Sequence, residues 1–349
     1  MKTVKVNASK SYDILIENGI LTLAGKHIKE TLGGAKACIL TDDTVDALYS
    51  KTLEESLSAE GIEFIKFVIP HGESSKSATS LISLLEFLAE NRITRSDILI
   101  ALGGGVVGDL CGFAAGVYLR GIRFVQIPTT LLAAVDSSVG GKTAINLEAG
   151  KNLAGVFHQP SLVLCDPKTL DTLPKEIFSD GCAEVIKYGI INDKEFFDFL
   201  KSGIKENIEE VIARCAENKA NIVELDEFDL GVRQLLNLGH TIGHAIEIRS
   251  ELSISHGSAV AIGTVIATKI AVSLGICPPC DLEEIIALLK KEGLPTSSTY
   301  TPAELASIAS ADKKRSGEMI NLILPYGIGN CKPYSVTVSE LENIFAKGI

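Results

Sequence analysis

The first half of the chain alternates short runs of β-forming residues with longer stretches of helical periodicity, and that alternation leaves few folds open. The runs AKACILT (35–41), EFIKFVI (63–69), DILIAL (97–102), FVQI (124–127) and LVLC (162–165) read as buried strands. Between them, residues 44–60, 77–91 and 107–117 carry helical patterns. Parallel neighbours in a sheet need a crossover, so strand–helix alternation implies a largely parallel sheet with helices on both faces. From about Asp166 the character changes. Amphipathic helical stretches (195–200, 208–225, 234–249, 259–274 and 282–290) follow with little strand signal. The expectation is an α/β N-terminal domain with a Rossmann-like, mostly parallel sheet over residues 1–166. A mostly α-helical C-terminal domain would occupy 167–349, and a chain of 349 residues suits two cores.

Composition narrows the partners. A formal net charge of −11 argues against general affinity for nucleic acid or anionic membranes, so the expected partner is a small molecule. The N-terminus lacks the apolar core of a signal peptide. The most apolar later stretch, Ser258 to Ile276, is interrupted by Lys269 and reads as a buried helix. The cysteines are scattered, mostly in apolar runs such as those holding Cys38, Cys111 and Cys165, as reduced core residues are. Cys277 and Cys280 form a lone CxxC, read as a thiol-rich loop. A reducing, cytoplasmic compartment follows from this usage.

Gly103, Gly104, Gly105, Val106, Val107, Gly108 and Asp109 follow the strand DILIAL and open a helix. They satisfy G-x-G-x-x-G in the context that lets a backbone approach a pyrophosphate. No acid stands about 20 residues downstream to hold a ribose, as the usual dinucleotide fingerprint requires. Asp42 instead ends an earlier strand, so the ribose acid is expected to precede the glycine loop. SSVGGKT (137–143) imitates a phosphate-binding P-loop but fails it, because Asp136 stands where the pattern needs glycine. Lys142 remains a candidate phosphate ligand beside a turn. The loop HGESSK (71–76) closes another strand on the edge where such sheets bind ligands; taken singly it would be solvated surface.

In the helical pattern 234–249, Asn237, His240 and His244 fall at spacings of three and four and so share a face. Two histidines at i and i+4 suit a metal, although the H-E-x-x-H pattern of zinc proteases is absent because Thr241 follows His240. Glu184 and His256 are candidate further ligands. A Glu with two His leaves an open coordination position, the catalytic arrangement. Spacing alone leaves open which two histidines join Glu184. Lys76, Lys142, Lys151, Lys187, Lys219 and Arg233 are interleaved with these motifs and suit a phosphate-bearing substrate.

These residues resemble the 3-dehydroquinate synthases of the sugar-phosphate cyclase superfamily. The likeness rests on HGESSK (71–76), GGGVVGD (103–109), RGIRFVQIPTTLLAAVDSSVGGKTAIN (120–146), GKNLAGVFHQP (150–160), AEVIKYG (183–189), LNLGHTIGHAIE (236–247), SHG (255–257) and ADKK (311–314). Each motif is weak alone; the ordered set is specific. The resemblance implies that Glu184, His240 and His256 bind a divalent metal, usually zinc with cobalt an alternative, while His244 faces substrate. It implies NAD held by Asp42, the loop His71, Gly72, Glu73 and Lys76, and the turn Gly104 to Asp109. Thr129, Thr130, Lys142, Lys151, Thr169, Leu170, Asp171 and Thr172 complete that site. Substrate contacts would be Asp136, Lys142, Asn152, Lys187, Lys219, Arg233, Asn237, His244 and Lys314, with Arg120 reaching a neighbouring subunit of a homodimer.

The activity implied is cyclisation of 3-deoxy-D-arabino-heptulosonate 7-phosphate to 3-dehydroquinate and phosphate, in the shikimate route to aromatic amino acids. It runs through transient oxidation by NAD, phosphate elimination, reduction and an intramolecular aldol closure. Related readings are another cyclase, such as 2-deoxy-scyllo-inosose synthase, or a metal-dependent polyol dehydrogenase. Two departures touch local salt bridges: Glu176-Ile177 replaces an Arg-Glu pair, and Asp229 replaces a common Glu.

Overall fold

The computed structural model describes residues 1–251, 253–313 and 318–349. Its first compact unit comprises Met1–Leu173 and Ile208–Phe228. Strands β1 (Lys2–Val6), β2 (Tyr12–Ile16), β3 (Ala37–Asp42), β4 (Phe64–Ile69), β5 (Ile98–Gly103) and β6 (Arg123–Pro128) belong to it. So do β7 (Lys142–Leu147), β8 (Gly150–Phe157) and β9 (Leu162–Cys165). Seven of them form one sheet in the order β1-β2-β9-β6-β5-β3-β4, parallel except for the β1–β2 pair. The five anticipated strands are its parallel core. The β1–β2 pair and the separate β7–β8 hairpin were not anticipated, because their alternating or glycine-broken runs carry less apolar signal.

Period-two alternation decides which face each strand residue covers. Ile39, Ile98, Ile100, Leu102, Val125 and Ile127 pack with Ala24, Ile28, Leu53 and Leu57 on one side. Cys38, Leu40, Leu99, Ala101 and Phe124 pack with Leu84, Leu88, Leu110, Cys111 and Ala114 on the other. Both faces are therefore apolar, and both are covered by helices. Helix α1 (Gly105–Val117) lies close against the sheet through Gly108: a Cβ there would meet Gln126 Oε1 at 2.6 Å.

The second unit comprises Pro174–Asn207 and Asp229–Ile349. It holds α2 (Lys175–Asn192). Helix α3 (Ile208–Leu225), anticipated in the C-terminal domain, belongs to the first unit, and the change of unit falls at Leu173/Pro174 rather than at 166/167. The buried stripe of α3, including Val211, Ile212, Cys215 and Ala216, explains this, since the helix packs on β1 and β2. The second unit continues with α4 (His240–Arg249), α5 (His256–Ser273), α6 (Pro302–Lys313) and a hairpin of β10 (Met319–Pro325) and β11 (Cys331–Thr337). Helix α5 has the length and hydropathy of a membrane span, but 72% of it is buried inside the protein, as in a core helix. All eight cysteines are free; Cys280 is exposed and the others are buried.

Candidate active site: a strand-end crevice and a histidine–carboxylate centre

In the first unit the expected dinucleotide residues gather on one edge, at the C-terminal ends of the parallel strands. Asp42 ends β3, His71 to Lys76 follow β4, and Gly104 to Asp109 follow β5. Thr129 and Thr130 follow β6, and Thr169, Leu170, Asp171 and Thr172 follow β9. Since β3 connects toward β4 and β5 toward β6, in opposite directions along the sheet, the topological switch point lies between β3 and β5. Ligands of open α/β sheets bind at that point. This topology gives the physical reason for an acid that precedes the glycine loop: Asp42 and Gly103 end neighbouring strands.

Local structure already uses several of these groups. Asp42 Oδ1 caps the following helix, accepting from the backbone N–H of Thr44 and Val45 at 3.0 and 2.9 Å. Buried Lys76 donates to Asp109 at 2.5 Å and to Asn152 Oδ1 at 2.5 Å. Burial pushes the Asp109 carboxyl up, against the opposing pull of Lys76. Lys219, buried on α3, donates to Asp136 Oδ1 at 2.5 Å and to its carbonyl at 2.8 Å. His71 is exposed and bonded to Asp43. Lys142 begins a β-strand after two glycines of positive φ, so the P-loop reading fails in structure as well as in pattern. Lys151 and Asn152 stand exposed on the β7–β8 hairpin, with Asn152 at φ 56°. Asn146 was missed: its amide donates to Glu73 at 2.7 Å and its oxygen accepts from the Asn152 N–H at 2.9 Å. Only its place inside GGKTAIN hinted at this.

In the second unit, α2, α4 and α5 bring three ligand-bearing side chains together. Glu184 is fully buried on α2, ion-paired with Lys187 one turn on. His240 and His256 each begin a helix, α4 and α5. The two helices approach through small residues: a Cβ on Gly263 would lie 2.1 Å from the Gly239 carbonyl. The Nε2 atoms of His240 and His256 stand 3.3 and 3.4 Å from Glu184 Oε1. Their Nδ1 atoms face acceptors, the Leu238 carbonyl at 3.0 Å and Glu247 Oε2 at 3.1 Å. Imidazoles held at Nδ1 turn Nε2 toward the shared centre, as metal-ligating histidines do. The Glu184 oxygens lack well-aligned hydrogen bonds although three ligand atoms converge within 4.8 Å, so the donor set fits a divalent cation such as zinc.

The charges of the centre act strongly on one another. Burial raises the Glu184 carboxyl, yet Lys187 and His240 outweigh it and hold the group well below the usual carboxylate range. Burial likewise opposes charge on His256, but Glu184 and Glu247 outweigh it and bring the imidazole up to about 10.

The anticipated continuous helix 234–249 is corrected. Residues Val232–Asn237 form a 3-10 helix, Gly239 breaks the chain at φ 76°, and α4 starts at His240. A Cβ on Gly239 would meet Thr264 Oγ1 at 2.4 Å, so the break is packed in place. Asn237 therefore does not share a helix face with His240 and His244. It lines instead the same cavity of about 190 Å³, together with those histidines and with Ile308 and Ala309 of α6. His244 is exposed there, its ring 5.5 Å from that of His240. Arg233 and Lys187 are buried in this unit, and Arg120 is exposed in the other at φ 68°. Lys314 lies outside the described residues. Of the two departures, Glu176 sits in the first turn of α2 beside exposed Ile177, and Asp229 adopts φ 60°. Glu247 was also missed, though it stands seven residues after His240 and thus on its face.

Family models described as 3-dehydroquinate synthase N-terminal and C-terminal match residues 66–180 and 181–315. A 3-dehydroquinate synthase of Agrobacterium fabrum is 46% identical over 337 residues, covering 92% of this chain and 89% of its own. One of Clostridium perfringens is 47% identical over 350 residues, covering 98% and 100%. Among solved structures, 2-deoxy-scyllo-inosose synthase complexed with carbaglucose-6-phosphate, NAD+ and Co2+ matches with a TM-score of 0.89 at 26% identity over all of both chains. The 2-epi-5-epi-valiolone synthase of Streptomyces hygroscopicus, with NAD+ and Zn2+ bound, matches at 0.88 and 27% over 98% of each. An iron-containing alcohol dehydrogenase, at 0.67 and 17% over 98% of each, shares the fold alone.

Proposed function

The chain belongs to the 3-dehydroquinate synthase family, and from that premise we propose that it converts 3-deoxy-D-arabino-heptulosonate 7-phosphate to 3-dehydroquinate and phosphate. The observation that carries the reading is the convergence of Glu184, His240 and His256, with both imidazoles held at Nδ1. When bound, NAD supplies a transient hydride acceptor that acidifies the neighbouring C–H, and the divalent metal supplies a Lewis acid and a template for hydroxyl groups.

The chain's own residues then have separable tasks. Glu184, His240 and His256 hold the metal. Asp42 accepts from the adenosine ribose, the 71–76 loop and the glycine turn follow the dinucleotide, and Thr129, Thr130, Lys151 and 169–172 complete its seat. Lys142, Lys187 and Arg233 offset the substrate phosphate's charge as it leaves. Asn152 and Asn237 orient hydroxyls. Lys219 is held in place by Asp136. His244, exposed beside His240, relays the proton of the oxidised hydroxyl. Arg120 serves the phosphate site of a second copy in a cytoplasmic homodimer; exposed Val117 and Leu119 beside it suit a subunit contact.

Incubation with the heptulosonate phosphate, NAD and zinc should release phosphate and dehydroquinate with no net absorbance change at 340 nm. Net NADH accumulation would instead make the protein a dehydrogenase. His256→Ala should abolish both products and lower bound metal; wild-type metal content in that variant would refute the ligand assignment.

A further inference from the structure

Glu247 has no part in the assignments above, yet it meets one of the proposed metal ligands directly. It lies on α4 at i+7 from His240, about 20° away around the helix, so the two carry one face. His240 turns toward Glu184, while Glu247 Oε2 stands 3.1 Å from His256 Nδ1. The carboxylate is almost wholly buried, only 4% exposed. Its backbone carbonyl accepts from Ser250 Oγ at 3.0 Å, and that same hydroxyl accepts from the Ile254 N–H at 3.3 Å. The end of α4 is thereby tied to the segment leading into His256. The two imidazoles differ in support: His240 answers to a carbonyl, His256 to a carboxylate.

We propose that Glu247 is a positioning residue that fixes His256 with Nδ1 protonated and Nε2 presented to the metal, a carboxylate–histidine–metal relay. The inference rests on Glu184, His240 and His256 being the ligands. A rival role is direct ligation, since His244, Glu247 and His256 also bring ligand atoms within 4.8 Å of one another.

The test uses metal-stripped full-length protein, with zinc affinity read by chelator competition and geometry read from the visible spectrum of the cobalt-loaded protein. Glu247→Gln keeps size and an acceptor oxygen but loses the charge. It should lower zinc affinity about tenfold, and Glu247→Ala up to about a hundredfold, the range of such supporting carboxylates. Both variants should still bind cobalt with shifted bands. A merely structural role would leave the spectrum unmoved, and Glu247→Gln carries the test if the alanine variant does not fold. An unchanged spectrum with wild-type zinc affinity in Glu247→Gln overturns the proposal. Complete loss of metal, matching Glu184→Gln, also overturns it by making Glu247 a ligand. Failure of the wild-type chain to bind zinc would instead remove the ligand reading beneath it.

Discussion

Asp42 carries two duties on one carboxylate, capping a helix through Oδ1 and, in the proposed function, holding a ribose. Alanine would confound them, because losing a cap costs about 1 kcal/mol whatever the ligand does. Asparagine caps nearly as well, so Asp42→Asn should leave the melting temperature close to wild type. A charged hydrogen bond contributes about 1.5–3 kcal/mol, so calorimetric NAD affinity should fall about tenfold or more. Unchanged affinity would reject the ribose role. Glu304 makes a different kind of claim. Its carboxylate accepts from the Thr301 N–H and hydroxyl at 2.9 Å in a capping box, and from Arg249 at 2.9 Å. The Thr301 N–H, Arg249 and the Thr301 hydroxyl hold that carboxyl down at about 2. A folded value below the unfolded one means the contribution is present above the ordinary carboxylate range and is lost as pH falls toward about 2. Glu304→Gln should therefore weaken protection of α6 amides at neutral pH. The gap from wild type should close by pH 2, and hydrogen exchange at both pH values checks it.

At the scale of elements, the closely packed pair α4 and α5 decides whether the centre exists. Gly239 and Gly275 both follow or precede helices at left-handed φ, 76° and 73°, but only Gly239 is crowded. A Cβ there meets Val260 O at 2.6 Å and Thr264 Oγ1 at 2.4 Å, whereas nothing lies within 4 Å at Gly275. Gly275→Ala should cost only the backbone preference, about 1–2 kcal/mol. Gly239→Ala should cost distinctly more, since overpacking adds about 1–3 kcal/mol, and should also weaken zinc retention. Equal denaturation midpoints for the two variants would show that this contact does not set the spacing of α4 and α5. The strands of the first unit were legible because their signal is local: Ile98, Ile100 and Leu102 alternate with Leu99 and Ala101 in the chain as they do across the sheet. The break at Gly239 was not legible, because 234–249 is apolar at helical spacing straight through it, whereas Leu238 is extended and Gly239 left-handed in the folded chain.

At the scale of the whole molecule, the proposed homodimer makes Arg120 a residue that acts in trans. Arg120→Ala and His256→Ala should each be nearly inactive alone. If Arg120 serves the other subunit, dissociating and mixing the two variants gives heterodimers with one intact site, and activity should recover to about a quarter of wild type by random pairing. No recovery in verified heterodimers would place Arg120 in its own subunit's site. A net charge of −11 makes the buried pairing of Lys76 with Asp109 and of Lys219 with Asp136 notable in the first unit. Lys76 and Lys219 are thus each held by an acid of the chain itself, while Lys142 and Lys151 stand exposed.

Fold class and the strand-end location of the glycine turn were written in short-range pattern, because periodicity and turn chemistry act between neighbours in the chain. The spacing of His240 and His244 suggested a metal without saying which histidines face Glu184. That choice belongs to the tertiary structure: His256 stands 3.4 Å from Glu184 because glycines let α4 and α5 approach and because Glu247 holds its Nδ1, while His244 lines the neighbouring cavity, exposed. The placement of α3 in the first unit has the same origin. A helix's apolar stripe shows that it must be buried, and only packing shows against what.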